Sequence, residues 1–374
     1  MEKLRVLSIF GTRPEATKMV PPIKAMEANK HIESVVCITA QHRQILDDVM
    51  EAFDIKPDYD LNLMKEGQSL TELTARAIEG LGKVIAEAKP DYILVHGDTA
   101  TTLAGALAAF YSKVKVAHVE AGLRTYDKYQ PFPEEINRKV TAAIADLHFA
   151  PTSLAREHLL KENISDKDIV VTGNTSIDFI PYAIKEGYSF NNKALEGLDK
   201  SKRLILMTAH RRENWGNPME DIFTGVRRLA DDFEDIQIIY PVHPNPIVRD
   251  SAEKMLSGHS RILLIEPLNV FDMLNLMKLS FMVLTDSGGI QEEAPALNKP
   301  VVVFREVTER PEGKTAGILE LAGTDPNRIY EITKTILTDK AKYNKMANTP
   351  NPFGDGRASE RIVKALLDRA GEKL

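Results

Sequence analysis

The chain has 374 residues, 43% hydrophobic and 27% charged. That is the balance of a globular protein and not of a disordered one, and at roughly 100–200 residues per domain it predicts two domains, each with its own core. A net charge of −6 excludes a chain built as a whole to hold nucleic acid, so an anionic ligand requires a local cluster of cations. The one cysteine, Cys37, excludes an intrachain disulfide framework and fits a reducing compartment.

The chain opens on a strand-like run, Leu4 to Phe10, with no basic segment and long apolar stretch before it, and no run reaches the roughly 18–20 apolar residues of a membrane span. A cytoplasmic location without membrane association is the expectation. Short apolar runs then alternate with helical patterns. The first half shows Arg5–Phe10, Val35–Thr39 (containing Cys37, read as a buried strand residue), Tyr92–Val95, Val114–Val119 and Leu147–Phe149. The second shows Leu204–Thr208, Ile236–Tyr240, Ile262–Ile265, Phe281–Thr285 and Val301–Phe304. Runs apolar throughout are those of parallel strands covered on both faces, and their alternation with helices predicts an α/β fold of βαβ units. Leu103, Leu107 and Phe110 repeat at helical spacing and are expected to pack in the core. Gly187–Lys202 is polar and reads as a surface excursion after a junction near Thr172–Asp178. The tail Arg357–Ala370 reads as an amphipathic helix with Ile362, Ala365, Leu366 and Ala370 on one face.

Ligands of open α/β sheets bind at strand C-terminal ends, and polar clusters recur there. Gly11-Thr12-Arg13-Pro14-Glu15-Ala16-Thr17-Lys18 joins a glycine turn, a helix start able to attract phosphate and two cations, though a plain turn with solvated charges reads equally well. His96-Gly97-Asp98-Thr99 puts an acid at a strand tip, where it is catalytic or a helix N-cap. Glu120 closes an apolar strand, and a buried charge there needs a partner. Glu134 opens a helix four residues before Arg138, so an ion pair on one helix face is the competing reading. Three carboxylates at consecutive loops of one sheet edge suit acid/base work on two faces of a substrate. In the second half His210-Arg211-Arg212-Glu213-Asn214 and His243 bring histidines suited to proton transfer. Asp286-Ser287-Gly288-Gly289-Ile290-Gln291-Glu292-Glu293 forms a small-residue turn into a helix that lets backbone approach a diphosphate. No histidine or cysteine spacing suggests a metal, and no cofactor is implied.

These motifs, together with His118–Thr125, Pro133-Glu134-Glu135 with Asn137-Arg138, and Thr308-Glu309-Arg310-Pro311-Glu312, resemble those of the non-hydrolysing UDP-N-acetylglucosamine 2-epimerases from about residue 4 to about residue 365. The resemblance implies the GT-B fold: two Rossmann-like domains facing a deep cleft, over 1–172 and 173–355, with a C-terminal helix, 356–374, returning to the first domain. It implies reversible epimerisation of UDP-GlcNAc to UDP-ManNAc, by anti elimination of UDP to 2-acetamidoglucal and syn re-addition, supplying ManNAc units for cell-surface polysaccharide. A GT-B glycosyltransferase or a hydrolysing epimerase is the alternative. Asp98, Glu120, Glu134 and His210 match catalytic positions. Arg13, Lys18, Arg138, His243, Ser287, Gly288, Gly289 and Glu293 match positions that bind the substrate and its UDP part. Gln41, Gln44, Arg211 and His243 match a second, allosteric UDP-GlcNAc site, although Gly67 stands where an arginine of that site is expected. Tyr126 stands where close relatives often have glycine. The resemblance also implies a homodimer.

Overall fold

The apolar runs become the strands of two parallel sheets in a computed structural model that describes residues 3–39, 43–65, 67–199 and 201–371. The chain divides into two compact units, Met1–Phe179 with Gly354–Leu374, and Ile180–Phe353. The first unit holds β1 (Leu4–Phe10), β2 (Ile32–Ile38), β3 (Tyr59–Asp60), β4 (Tyr92–His96), β5 (Lys115–Val119), β6 (Leu147–Ala150) and β7 (Ile169–Val171), in the order β3-β2-β1-β4-β5-β6-β7. The second holds β8 (Arg203–Thr208), β9 (Ile236–Pro241), β10 (Ile262–Ile265), β11 (Met282–Thr285), β12 (Val301–Val303) and β13 (Leu319–Leu321), in the order β10-β9-β8-β11-β12-β13. Both units are thus Rossmann-like. Each sheet reverses its winding once, between β1 and β4 and between β8 and β11, and an open α/β sheet forms its ligand crevice at such a point.

In the first unit the helix Ala100–Tyr111 departs from its expected packing. Phe110 is 61% exposed and Leu103 and Leu107 are only half-buried, whereas Ala104, Gly105, Ala106, Ala108 and Ala109 are buried. Small residues win this face because the helix lies so close to the sheet that a Cβ on Gly105 would stand 3.0 Å from Val95 Cγ1. Cys37 is fully buried in β2, and burial pushes its thiol up to about 12.

The helix Ala358–Gly371 belongs to the first unit and packs on the helix Arg13–Glu27 through a face that includes the buried Ile362 and Leu366. Its start is fixed by Asp178, which accepts from Ala358 N at 3.0 Å and Ser359 N at 2.6 Å, the placement of an acid that favours a helix N-terminus. In the second unit the excursion after Gly187 is tied to the body by the buried Asp272. That carboxylate accepts from Tyr188 Oη at 2.8 Å and from the backbone of Asn191 and Asn192 at 3.0 Å each.

Candidate active site

In the first unit the acids stand at the ends of β4 and β5 and at the start of the helix Glu134–Ile144. Asp98 does not cap the helix that follows it. Thr99 is the N-cap and accepts from Thr102 N at 3.1 Å, which leaves the Asp98 carboxylate to Arg138 at 2.5 Å. Arg138 spends its other contact on Glu135, 3.4 Å away. The ion pair between Glu134 and Arg138, the competing reading of their spacing, does not form, because the guanidinium turns toward Asp98 at the end of β4. Glu134 is left with a buried Oε2 that has no hydrogen-bond partner among the described residues. Asp98 and Glu134 both line a pocket of about 530 Å³, shared with Thr12, Gln68 and Asn137.

Glu120 does not line that pocket, though its Oε1 comes within 3.7 Å of the Cβ position of Gly97, beside Asp98. Its side chain is 8% exposed, and its Oε2 meets Lys18 Nζ and accepts from Asn174 Nδ2 at 2.8 Å. Its φ of +62° is in the left-handed region, a conformation that costs a non-glycine residue about 1–3 kcal/mol and persists where surrounding contacts enforce it. Here Lys18 and Asn174 hold the side chain. His96 Nε2 stands 3.8 Å from the same oxygen. Just behind, burial pushes His118 down to about 3, so its ring is neutral and Nε2–H donates to Gly97 O at 2.7 Å. Gly122 has φ +91°, and a Cβ there would come within 2.2 Å of Ala155 O, so the chain leaving β5 can turn this tightly only at glycine.

The turn after β1 is closed by the protein itself. Glu15 accepts from Gly11 N at 3.0 Å and from Thr12 N at 2.9 Å, and also from Thr99 Oγ1 at 2.6 Å. The expected open N–H groups are therefore occupied at Gly11 and Thr12, since the capping glutamate reaches them first. Lys18 is engaged by Glu120, while the half-buried Arg13 pairs with no described residue.

The second unit carries its own polar cluster at strand ends. The helix Gly288–Ala296 begins after Ser287 with no side-chain cap, so Gly288 and Gly289 form an open first turn of the kind that attracts phosphate. Arg211 Nη2 lies 3.6 Å from where a Cβ on Gly288 would stand, and Glu293 Oε1 lies 3.8 Å from the same point on Gly289. His210 stacks on His243 at 5.5 Å between ring centres, with the planes 12° apart. His243 Nδ1 accepts from Asn245 N at 3.2 Å. The fully buried Asp286 accepts through Oδ2 from His210 N and Arg211 N, both at 2.8 Å, and from Asn214 Nδ2 at 3.1 Å. Its Oδ1 lies 3.3 Å from His210 Nδ1, within ion-pair range but without the alignment of a hydrogen bond. Burial lowers the His210 pKa, the Asp286 charge opposes that shift, and His243 and Arg211 add to it.

Gln41 lies outside the described residues, as does the side chain of Gln44. Gly67 has φ +71° with open space around its Cβ position, so an arginine there meets backbone strain and no clash. Sequence reasoning did not single out His96, Asn174 or Asp286. His96 and Asp286 stand inside the motifs and Asn174 in the junction Thr172–Asp178, but the partner of each lies on another strand or loop.

The family profile described as UDP-N-acetylglucosamine 2-epimerase matches residues 24–367. The UDP-N-acetylglucosamine 2-epimerase of Bacillus subtilis is 55% identical over 371 residues, 99% of this chain and 97% of that protein. The S. aureus MnaA–UDP co-structure is 53% identical and superposes with a TM-score of 0.88, covering 99% of this chain and 97% of that one. The UDP-GlcNAc 2-epimerase of Neisseria meningitidis bound to UDP-GlcNAc is 45% identical with a TM-score of 0.88, covering 97% of this chain and 100% of that one. With two Rossmann-like units and a profile match over nearly its whole length, this chain belongs to the UDP-N-acetylglucosamine 2-epimerase family.

Proposed function

We propose that this chain interconverts UDP-GlcNAc and UDP-ManNAc by inverting carbon 2 of the sugar, with UDP retained during the exchange. The observation that carries the reading is the carboxylate set of the first unit: Asp98 held by Arg138, Glu134 with a buried unpartnered oxygen, and Glu120 held by Lys18 and Asn174. Family membership and the UDP-GlcNAc bound to the N. meningitidis relative support it.

Carbon 2 is not beside a carbonyl, so its hydrogen is not acidic until the C1–O bond weakens. In the proposed route a carboxylate takes the C2 proton while the C1–O electron pair leaves with UDP, giving the C1=C2 double bond of 2-acetamidoglucal. UDP then adds back at C1 and a proton reaches C2 from the other face. Asp98, Glu120 and Glu134 share this proton work. His210 and the helix start at Ser287, Gly288 and Gly289 stabilise the departing diphosphate, with Arg13, Lys18, Arg138, His243 and Glu293 completing the substrate contacts.

A homodimer fits an apolar face of the first unit. Phe110, Tyr111, Ile136 and Val140 are 61%, 68%, 42% and 37% exposed on two helices that pack side by side, more than isolated surface apolar residues account for. Size-exclusion chromatography with light scattering checks the mass.

Proton NMR of the purified chain with UDP-GlcNAc in D2O tests the reaction. UDP-ManNAc with deuterium at C2 and no build-up of free UDP supports it. Accumulating UDP with free N-acetylmannosamine means a hydrolysing enzyme, and unchanged substrate removes the reading.

A further inference from the structure

We propose that His96 is a positioning residue for Glu120, its imidazole serving that carboxylate in both of its protonation states. The inference rests on the reading above, in which Glu120 takes part in moving the C2 proton.

His96 ends β4 and is 4% exposed. Neither of its ring nitrogens has a hydrogen-bond partner among the described residues. Buried polar side chains are as a rule hydrogen-bonded, and an exception asks for a reason. The neighbouring histidine, His118, follows the rule through Gly97 O. Facing His96 Nε2 is Glu120 Oε2, 3.8 Å away, just beyond hydrogen-bond reach.

That oxygen already meets Lys18 Nζ and Asn174 Nδ2. Both are donors at that contact. They serve an ionised carboxylate and oppose its protonation, because a carboxylic acid needs an acceptor for its O–H. A group that takes a proton and later gives one up is hindered by neighbours that favour only one state. The imidazole is an adjacent group able to do both. With the proton on Nε2 it donates to the carboxylate, and in the other tautomer Nε2 accepts from the carboxylic acid. The proton that Glu120 takes comes from C2, and the change of tautomer carries the ring proton from Nε2 to Nδ1 by exchange with solvent water. Glu120, left-handed in its backbone, follows the end of β5, the strand paired with β4, whose last residue is His96.

Steady-state kinetics with UDP-GlcNAc on the wild type, His96→Leu, His96→Gln, Glu120→Gln and the His96→Leu/Glu120→Gln double variant test this, with UDP affinity by calorimetry and melting curves as controls. His96→Leu is expected to lower kcat about a hundredfold, the scale of acid–base assistance, with KM and UDP affinity within about threefold. His96→Gln, whose amide can donate or accept, is expected to recover kcat to within about tenfold of wild type. In the Glu120→Gln background the leucine change should cost less than about twofold, because residues acting as a unit are not additive. A His96→Leu enzyme with wild-type kcat overturns the proposal, as does an equal loss in both backgrounds. If His96→Leu fails to fold, His96→Gln carries the same cycle: a loss that persists undiminished in Glu120→Gln overturns it. A wild-type chain that does not turn over UDP-GlcNAc removes the underlying reading, whereas a fully active leucine variant removes only this inference.

Discussion

Asp286 grips His210 twice: Oδ2 accepts its backbone N–H at 2.8 Å, and Oδ1 stands 3.3 Å from its ring Nδ1. The buried carboxylate therefore fixes where the histidine is and supplies a counter-charge against the burial that lowers its pKa. Asp286→Asn removes that charge while keeping the shape, so the pKa should fall further. If the imidazolium is what stabilises the leaving diphosphate, the alkaline limb of the kcat profile moves to lower pH and kcat drops about ten- to a hundredfold at neutral pH. A pH–rate profile checks both, and an unmoved limb would separate Asp286 from the histidine's charge.

Glu134 should trade stability against turnover. A buried carboxylate oxygen without a partner carries a desolvation penalty of about 1–3 kcal/mol. Glu134→Gln is expected to melt at or above the wild-type temperature while losing about a hundredfold or more in kcat. Calorimetry beside the D2O assay reads the two together, and a destabilised, active variant would contradict the assignment.

Tyr126 holds φ +63°, which explains why glycine suits this position. The ring compensates by meeting His158 edge-on at 5.5 Å and lying under Lys139 Nζ at 5.4 Å. Tyr126→Ala loses the ring and keeps the strain; Tyr126→Gly loses the ring and sheds the strain of about 1 kcal/mol. The glycine variant should therefore be the more stable of the two in chemical denaturation, reversing the usual order.

Burial holds His118 at about 3, well below the roughly 6.5 of an exposed histidine. The unfolded chain thus binds a proton that the fold refuses. Stability from this residue is full above the unfolded value and falls as pH drops toward the folded one, by about 2 kcal/mol between pH 7 and 5. Urea midpoints of His118→Gln should fall less steeply over that window than those of the wild type. His148, held at about 4 by burial, remains in both proteins and cancels in the comparison.

The strands legible in the sequence are those apolar along their length. The three that escaped, β3, β7 and β13, are sheet edges of two or three residues, too short to leave a run. At the site, strand ends marked Asp98 and Glu120 because each acid follows an apolar run. Their partners were not legible. Arg138 reaches Asp98 across forty positions and Lys18 reaches Glu120 across 102, pairings set by the neighbouring of β1, β4 and β5. Local spacing pointed to Glu134 and Arg138 because they share a helix face, yet the sheet supplied Arg138 with a nearer acid. The helix after Asp98 misled for a related reason: large apolar residues signal a core face unless the helix must lie too close to admit them.

The route of the chain has a consequence for how the molecule is made. The helix Ala358–Gly371 packs in the first unit, yet all of the second unit, Ile180–Phe353, precedes it in sequence. On a ribosome working from the N-terminus, β1 to β7 emerge early and wait through the synthesis of an entire second sheet for the segment that covers the helix Arg13–Glu27. The first unit to begin folding is thus the last to be finished, and until then Asp178 has no helix start to hold.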